Sequence, residues 1–144
     1  MNAKVEQIAH SGKVLAIIVP SGFRREGIEF FTPGELAQQL GYMNRPAGHC
    51  IPPHSNPCVK REILGSPEVL FVRSGRVSVD LYTDEGEFVG NRVLGAGDVI
   101  LLVSGGHGLK MLDATEMIEV KQGPYAGDEG RKEWTVNRKG PAGE

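Results

Sequence analysis

The chain is poor in cysteine, with two among 144 residues. Cys50 and Cys58 lie eight positions apart in a proline-rich stretch, and two cysteines do not make the disulfide framework of a small secreted domain. The N-terminal residues are polar and lack the apolar core of a signal peptide. We therefore expect free thiols and a cytoplasmic protein.

Long apolar runs and long runs of one charge are also absent. The run Val14 to Val19 is far shorter than the roughly 20 residues that a transmembrane helix needs. The 16 Lys and Arg nearly balance the 18 Asp and Glu, for a net charge of −2, and the charges are scattered. A nucleic-acid binder normally carries a basic stripe. The sequence thus predicts no membrane partner and no nucleic-acid partner.

Several common signatures are missing from the sequence. It contains no P-loop, no G-x-G-x-x-G fingerprint and no Ser-His-Asp order, which weakens kinase, dehydrogenase and hydrolase interpretations. It also lacks heptads, internal repeats and the alternation of strands with helices that is typical of a parallel α/β sheet.

Glycine and proline are abundant, with 20 and 9 residues, and they fall between short apolar runs. This punctuation is typical of short strands joined by turns. The predicted strands are Val14–Val19, Ile28–Phe31, Glu68–Val72, Val77–Tyr82, Phe88–Leu94, Val99–Val103 and Met117–Val120. The pattern indicates one all-β domain over residues 1–134, a barrel or sandwich. The polar residues 135–144 are expected to form a flexible tail.

Three segments carry finer predictions. Apolar and polar residues alternate along Val77–Tyr82, so we expect its Val77 side to be buried and its Asp80 side to face water. The fully apolar Val99–Val103 is predicted to be a central strand. The capping-box form that starts at Thr32 allows a short helix over residues 35–40, whereas Gly41–Asn44 allows a strand. The sequence leaves both interpretations open.

A first motif lies in the segment that holds both cysteines. Gly48, His54 and Asn56 have the spacing of the first cupin motif, which usually reads G-x5-H-x-H. Glu68 and Gly75 match the Glu and Gly that close this motif, after a longer spacer than usual. This segment resembles the cupin superfamily, with Asn56 in place of the second histidine.

A second motif supports the same resemblance. Gly97-Asp98 forms a turn signal, an apolar strand follows, and His107 comes after it. In cupins this strand usually leads into P-x-G-x-x-H. Here Val103 replaces the proline and His107 comes one residue early. The resemblance covers residues 48–107 in total.

The cupin resemblance implies a double-stranded β-helix, or jelly-roll barrel, with an N-terminal strand extension in this chain. It also implies one divalent transition metal, held here by His54, Glu68 and His107, with Asn56 at the fourth position. Two His and one carboxylate suit Fe, and Mn, Ni or Zn are alternatives. His54 and Asn56 would face one centre if they lay on a strand. Because the neutral amide of Asn56 is a poor ligand, metal occupancy is expected to be partial or to depend on added metal.

Other residues of the same segment offer alternative ligands. His49 lies on the opposite face of an ideal strand, but the two prolines before His54 can break that register, so His49 remains a candidate second imidazole. Cys58 is a further candidate, although free thiols are the expected state of both cysteines. His10 is expected to be solvated.

The resemblance also suggests functions. Small cupins include sugar isomerases and epimerases, sugar-nucleotide ketoisomerases, dioxygenases, lyases and ligand sensors. We expect an isomerase or epimerase that acts on a small polar, carbohydrate-type ligand, with Glu68 and His107 as catalytic residues. A metal-dependent dioxygenase and a non-catalytic binding barrel are the alternatives. A homodimer is expected because antiparallel sheets leave edges that need cover, with Val14–Val19 as the edge-pairing or exchanged strand.

Overall fold

The computed structural model describes residues 2–127 and 131, and in these residues the chain is all-β. The strands are β1 (Glu6–His10), β2 (Lys13–Val19), β3 (Gly27–Phe30), β4 (Gly41–Asn44), β5 (Glu68–Ser74), β6 (Arg76–Tyr82), β7 (Phe88–Gly95), β8 (Val99–Leu102), β9 (Gly106–Met111) and β10 (Glu116–Lys121). None of the described residues forms a helix long and apolar enough to cross a membrane. The predicted tail over 135–144 lies outside the described residues.

The strands form three antiparallel sheets. The largest has five strands in the order β1-β2-β8-β5-β10, the second has three in the order β7-β6-β9, and β3 pairs with β4. None of these sheets closes into a barrel within the described residues. The all-β prediction is therefore confirmed, whereas a double-stranded β-helix is a finer statement than these sheets establish.

The hydrophobic core lies between the five-stranded and the three-stranded sheet. Both sheets contribute side chains to one buried cluster, for example Leu70 and Val72 of β5 with Val79 and Leu81 of β6. Burial of such a side chain stabilises the fold by roughly 1.5–3 kcal/mol. Because side chains alternate along a strand, Glu68 at the start of β5 continues the inward row of Leu70 and Val72.

The apolar strand β8 occupies the centre of the five-stranded sheet, as predicted. It pairs with β2 on one side and with β5 on the other. Consecutive residues Ile100 and Leu101 are both fully buried, so both faces of this strand are covered. A strand that is covered on both faces has a continuous run of apolar residues. For this reason the apolar run predicted the central position of β8 correctly.

The prediction of a solvated face on β6 is wrong. Ser78, Asp80 and Tyr82 are buried, like the apolar residues between them. Asn91 of the neighbouring β7 donates hydrogen bonds to Ser78 Oγ and to Asp80 Oδ1, and each has a donor–acceptor distance of 2.6 Å. Tyr82 packs edge-on against Phe88, with ring centroids 5.7 Å apart. Ser78 and Asp80 can be buried because Asn91 on the neighbouring strand supplies their hydrogen bonds, as buried polar groups require.

Other differences from the sequence predictions concern local structure. Residues 34–38 form a turn and bends, so the helix alternative is wrong, and Gly41–Asn44 is the strand β4, paired with β3. Strands β1 and β9 were not predicted, because one is largely polar and the other begins with alternating glycines. Strand β2 lies between β1 and β8, so both of its edges are paired within the chain and it is not an edge strand.

Candidate functional site

A buried carboxylate marks one end of the core. Glu68 is the first residue of β5, and its side chain is 7% exposed. Register places it opposite Leu102 on β8 and opposite Lys121 on β10. A charged carboxylate is costly to bury unless it is paired and hydrogen-bonded, so its partners define the site.

Glu68 has a basic partner on each carboxylate oxygen. His107 Nε2 lies 3.1 Å from Glu68 Oε1, and Lys121 Nζ lies 3.3 Å from Glu68 Oε2. Lys121 comes from the adjacent strand of the same sheet, whereas His107 lies on β9 of the opposite sheet. The cluster of Glu68, His107 and Lys121 therefore joins the two sheets at the end of their shared core.

The entry into β9 positions His107. Register pairs His107 with Leu81 of β6, whose side chain belongs to the core, so His107 stands on the inward side. Gly105, two residues earlier, has a φ of +74°, and a Cβ there would lie 2.2 Å from the carbonyl oxygen of Tyr82. Only glycine fits this turn without displacing the backbone.

The electrostatics of the cluster favour an ionised Glu68. The hydrogen bond from His107 lowers the pKa of the Glu68 carboxyl and burial opposes this effect. The charge of His107, when its imidazole is protonated, and the charge of Lys121 lower the pKa further. Glu68 in turn raises the pKa of the Lys121 ammonium through its negative charge and hydrogen bond. Because an ionised carboxylate only accepts hydrogen bonds, Nε2 of His107 carries the proton in this contact, and Nδ1 is the other ring nitrogen.

The three side chains differ in their access to solvent. The side chain of Glu68 is 7% exposed, that of His107 is 32% exposed and that of Lys121 is 52% exposed. A molecule arriving from solvent thus meets the imidazole and the ammonium, with the carboxylate behind them. Glu68 is thus placed to hold the other two side chains in position, and His107 and Lys121 are accessible to a ligand.

The other predicted ligands lie in a different kind of structure. Between β4 and β5, residues 45–67 contain no strand, and both His54 and Asn56 are exposed. Nδ1 of His54 lies 2.7 Å from the Pro52 carbonyl oxygen. The expectation that His54 and Asn56 share a strand face is therefore wrong for this conformation. Cys50 and Cys58 of the same segment are exposed free thiols.

The described residues fit the implied metal only in part. Glu68 and His107 are adjacent, as two ligands of one ion would be, but within the described residues no group of three or more His, Cys, Asp or Glu side chains is placed to hold a metal. The Lys121 ammonium lies beside the other Glu68 oxygen, and this positive charge disfavours a second cation there. These contacts are not the three-ligand set that the resemblance implies, and no step of the proposed chemistry involves a metal. His54 and Asn56 remain predicted ligands.

Sequence reasoning missed Lys121 as a member of the site. It directly follows the last predicted strand, Met117–Val120. Its position opposite Glu68 follows from the pairing of β5 with β10, which are separated by four intervening strands of the chain. The available indication was that Lys121 is a charged residue at the end of a strand. The sequence pattern does not reveal that Glu68 is its partner.

The chain was compared with models of protein families, with characterised proteins and with solved structures, and no match was found in any of the three comparisons.

Proposed function

We propose that the protein is an isomerase or epimerase that moves a proton next to the carbonyl group of a small polar, carbohydrate-type molecule. The observation that carries this proposal is the cluster in which the buried Glu68 contacts both His107 and Lys121. The cluster contains an oriented imidazole and a cation, which are the two groups that such a proton transfer needs.

His107 is the proposed general base and acid. Its Nε2–H donates to Glu68, which fixes the orientation and the tautomer of the ring. The Nδ1 atom then removes the proton from the carbon next to the substrate carbonyl. In an isomerisation, His107 returns this proton to the former carbonyl carbon, while the hydroxyl proton of the carbon that lost it passes to the former carbonyl oxygen. In an epimerisation, His107 returns the proton to the same carbon from the other face, after rotation of the intermediate. No electron is gained or lost overall.

Lys121 is the proposed electrostatic partner. When the proton leaves the carbon, negative charge develops on the carbonyl oxygen of the substrate. An ammonium group held beside the site stabilises this enolate oxygen. The contact with Glu68 keeps Lys121 protonated, because the carboxylate raises the pKa of the ammonium.

We also propose three features that the cupin resemblance implies, and each of them is independent of the roles of His107 and Lys121. They are the double-stranded β-helix, a divalent transition metal and a homodimer. A bound metal would supply a Lewis acid that polarises a carbonyl. The roles proposed for His107 and Lys121 rest on their contacts with Glu68.

Solvent-hydrogen exchange tests the proposed function. The protein is incubated in D2O with a panel of aldoses, ketoses and sugar nucleotides, and deuterium incorporation is measured by NMR. We expect incorporation next to a carbonyl for at least one class. His107→Gln should slow it by about 10²–10⁴-fold, the contribution of a positioned general base, and Lys121→Gln should also slow it.

Matched controls are available on exposed parts of the chain. His10→Gln on β1 and Lys110→Gln on β9 remove the same groups from exposed positions and should leave the exchange rate unchanged. The absence of exchange across the panel, or oxygen consumption with a substrate of the panel, would contradict the proposal. Ligand binding without any exchange would favour a binding protein instead.

A further inference from the structure

A concave part of the surface lies away from Glu68, between the N-terminal segment and the chain around β3. It is a groove of about 400 Å³, within the size range of small-molecule sites. Its principal lining residues are Lys4, Phe23, Arg24, Arg25, Glu29 and Phe31. None of them belongs to the cluster of Glu68, His107 and Lys121.

The N-terminal wall of the groove is attached by specific hydrogen bonds. The backbone N–H of Arg24 donates to Asn2 Oδ1 over 2.8 Å, and the Asn2 amide donates to the Arg24 carbonyl oxygen. Gly22 approaches Ala3 so closely that a Cβ at Gly22 would lie 3.3 Å from the Ala3 Cβ. These contacts hold residues 2–5 against the turn before β3, so both walls of the groove are ordered.

The groove is positively charged in a chain whose net charge is −2. Lys4, Arg24 and Arg25 face one carboxylate, Glu29, and three positive charges less one negative charge leave +2. Arg25 pairs with Glu29 over 2.8 Å. Arg24 uses one terminal nitrogen to donate to the Ser21 and Phe23 carbonyl oxygens. In the described part of the chain, Lys4 has no hydrogen-bond or ion-pair partner, so its ammonium is available to a ligand.

Aromatic rings form the apolar part of the groove. Phe23 packs edge-on against Phe31 with centroids 5.3 Å apart and against Tyr42 with centroids 5.0 Å apart. Phe23 and Phe31 line the groove, and the contact with Tyr42 fixes the ring of Phe23 from behind. An ordered aromatic surface of this kind stacks with planar ligand rings.

We propose that this groove binds a phosphate monoester that carries a planar aromatic body, such as a nucleoside monophosphate. A phosphate monoester has a charge of about −1.5 to −2 at neutral pH, which matches the net +2 of the lining. The guanidinium of Arg24 recognises phosphate by paired hydrogen bonds, and Lys4 adds a second charge. The rings of Phe23 and Phe31 take the planar body. The site is independent of the proposed chemistry at Glu68.

Titration calorimetry with three probes tests the proposal. Adenosine 5′-monophosphate contains both features, adenosine contains only the ring, and inorganic phosphate contains only the anion. We expect the monophosphate to bind at least tenfold more tightly than either of the others. Equal affinity for monophosphate and adenosine would overturn the role of the cations. A dissociation constant above about 10 mM for the monophosphate, where binding is weaker than roughly 3 kcal/mol, would overturn the site.

Variants locate the binding to the groove. Arg24→Gln and Lys4→Gln should each weaken monophosphate binding about tenfold, the effect of one lost charge-assisted hydrogen bond. Phe31→Leu should weaken binding of the monophosphate but leave the weak binding of phosphate unchanged. Lys110→Gln, an exposed lysine outside the groove, is the matched control. Unchanged affinity in Arg24→Gln and Lys4→Gln, in proteins with the wild-type melting temperature, would place the ligand elsewhere and overturn the proposal.

Discussion

His107 Nε2 lies 3.1 Å from Glu68 Oε1, although the two residues belong to different sheets. Glu68 stands at the end of a row of core side chains on β5, and His107 stands opposite it on β9. The contact therefore ends the apolar core with a polar link between the sheets. Its consequences for stability and for chemistry can be tested separately.

The first prediction concerns the stability that this link contributes. Glu68→Gln keeps the shape of the side chain but removes its charge, and it turns an amide donor toward either His107 or Lys121. We expect the free energy of unfolding to fall by about 1–3 kcal/mol, the usual effect of a lost hydrogen bond to a charged group at a buried position. Urea denaturation at neutral pH measures it. Glu119→Gln removes an exposed carboxylate 3.7 Å from the same Lys121 and should change stability by less than about 1 kcal/mol.

The second prediction concerns pH. The pKa of Glu68 is lowered in the folded protein, so its stabilising contribution is fully present above its ordinary value of about 4.3 and is lost as the pH falls through the lowered folded value. The stability difference between the wild type and Glu68→Gln should therefore shrink between about pH 5 and the acid limit. Urea denaturation at a series of pH values measures this difference. A difference that stays constant down to pH 2 would show that the charge of Glu68 is not the stabilising feature.

The third prediction concerns the turn before β9. Gly105→Ala places a Cβ against the Tyr82 carbonyl oxygen and forces a side chain onto a φ of +74°. We expect a loss of at least about 2 kcal/mol in the free energy of unfolding, from backbone strain and overpacking together. Gly95→Ala is the control, because a Cβ there meets no heavy atom within 4 Å and its φ is not in the left-handed region. Similar melting temperatures for both variants would refute the steric account.

The fourth prediction concerns the metal. If His54, Glu68 and His107 bind one ion, the largely exposed segment over residues 45–67 must bring His54 to the other two. Asn56→His should then tighten metal binding, because imidazole is a better ligand than a neutral amide for Fe, Ni or Zn, and His54→Ala should abolish it. Metal titration followed by elemental analysis provides the measurement. If His49→Ala abolishes binding and Asn56→His has no effect, His49 is the second imidazole.

The fifth prediction concerns association. The outer strands of the five-stranded sheet are β1 and β10, and Ile118 and Val120 on β10 are about half exposed. Unpaired strand edges need cover, so we expect a homodimer whose contact includes one of these edges in place of β2. Light scattering at micromolar concentration should give twice the mass of one chain, and a monomer mass there would reject the dimer.

Sequence reasoning located most of the strands because their signal is local. Lys13–Val19 and Val99–Leu102 are apolar runs bounded by turn residues, and the pattern suffices to identify them. The face of a strand is less certain. The polar side of β6 is buried because Asn91 on a neighbouring strand satisfies its hydrogen bonds, and no pattern within β6 itself reveals this neighbour.

The candidate site shows the same division. Glu68 was predicted to open a strand beside apolar residues, and it does. His54 was expected to share a strand with Asn56, but the proline-rich segment forms no strand, because proline lacks the N–H that a sheet ladder requires. Of the four residues that the cupin spacing singled out, Glu68 and His107 are in contact. The approach of His54 and Asn56 to these two residues remains a prediction.

By itself, the sequence determined the all-β class, the central place of β8 and the presence of a carboxylate at the start of an apolar strand. These are properties of short windows, since alternation, turn residues and apolar runs act over a few positions. The tertiary structure alone decided that Glu68 meets Lys121 across one strand pair and His107 across the core. The order of the strands and the way the two sheets face each other depend on contacts between residues far apart in the chain. Bringing such residues together costs chain entropy, and the packing of the whole core compensates for this cost.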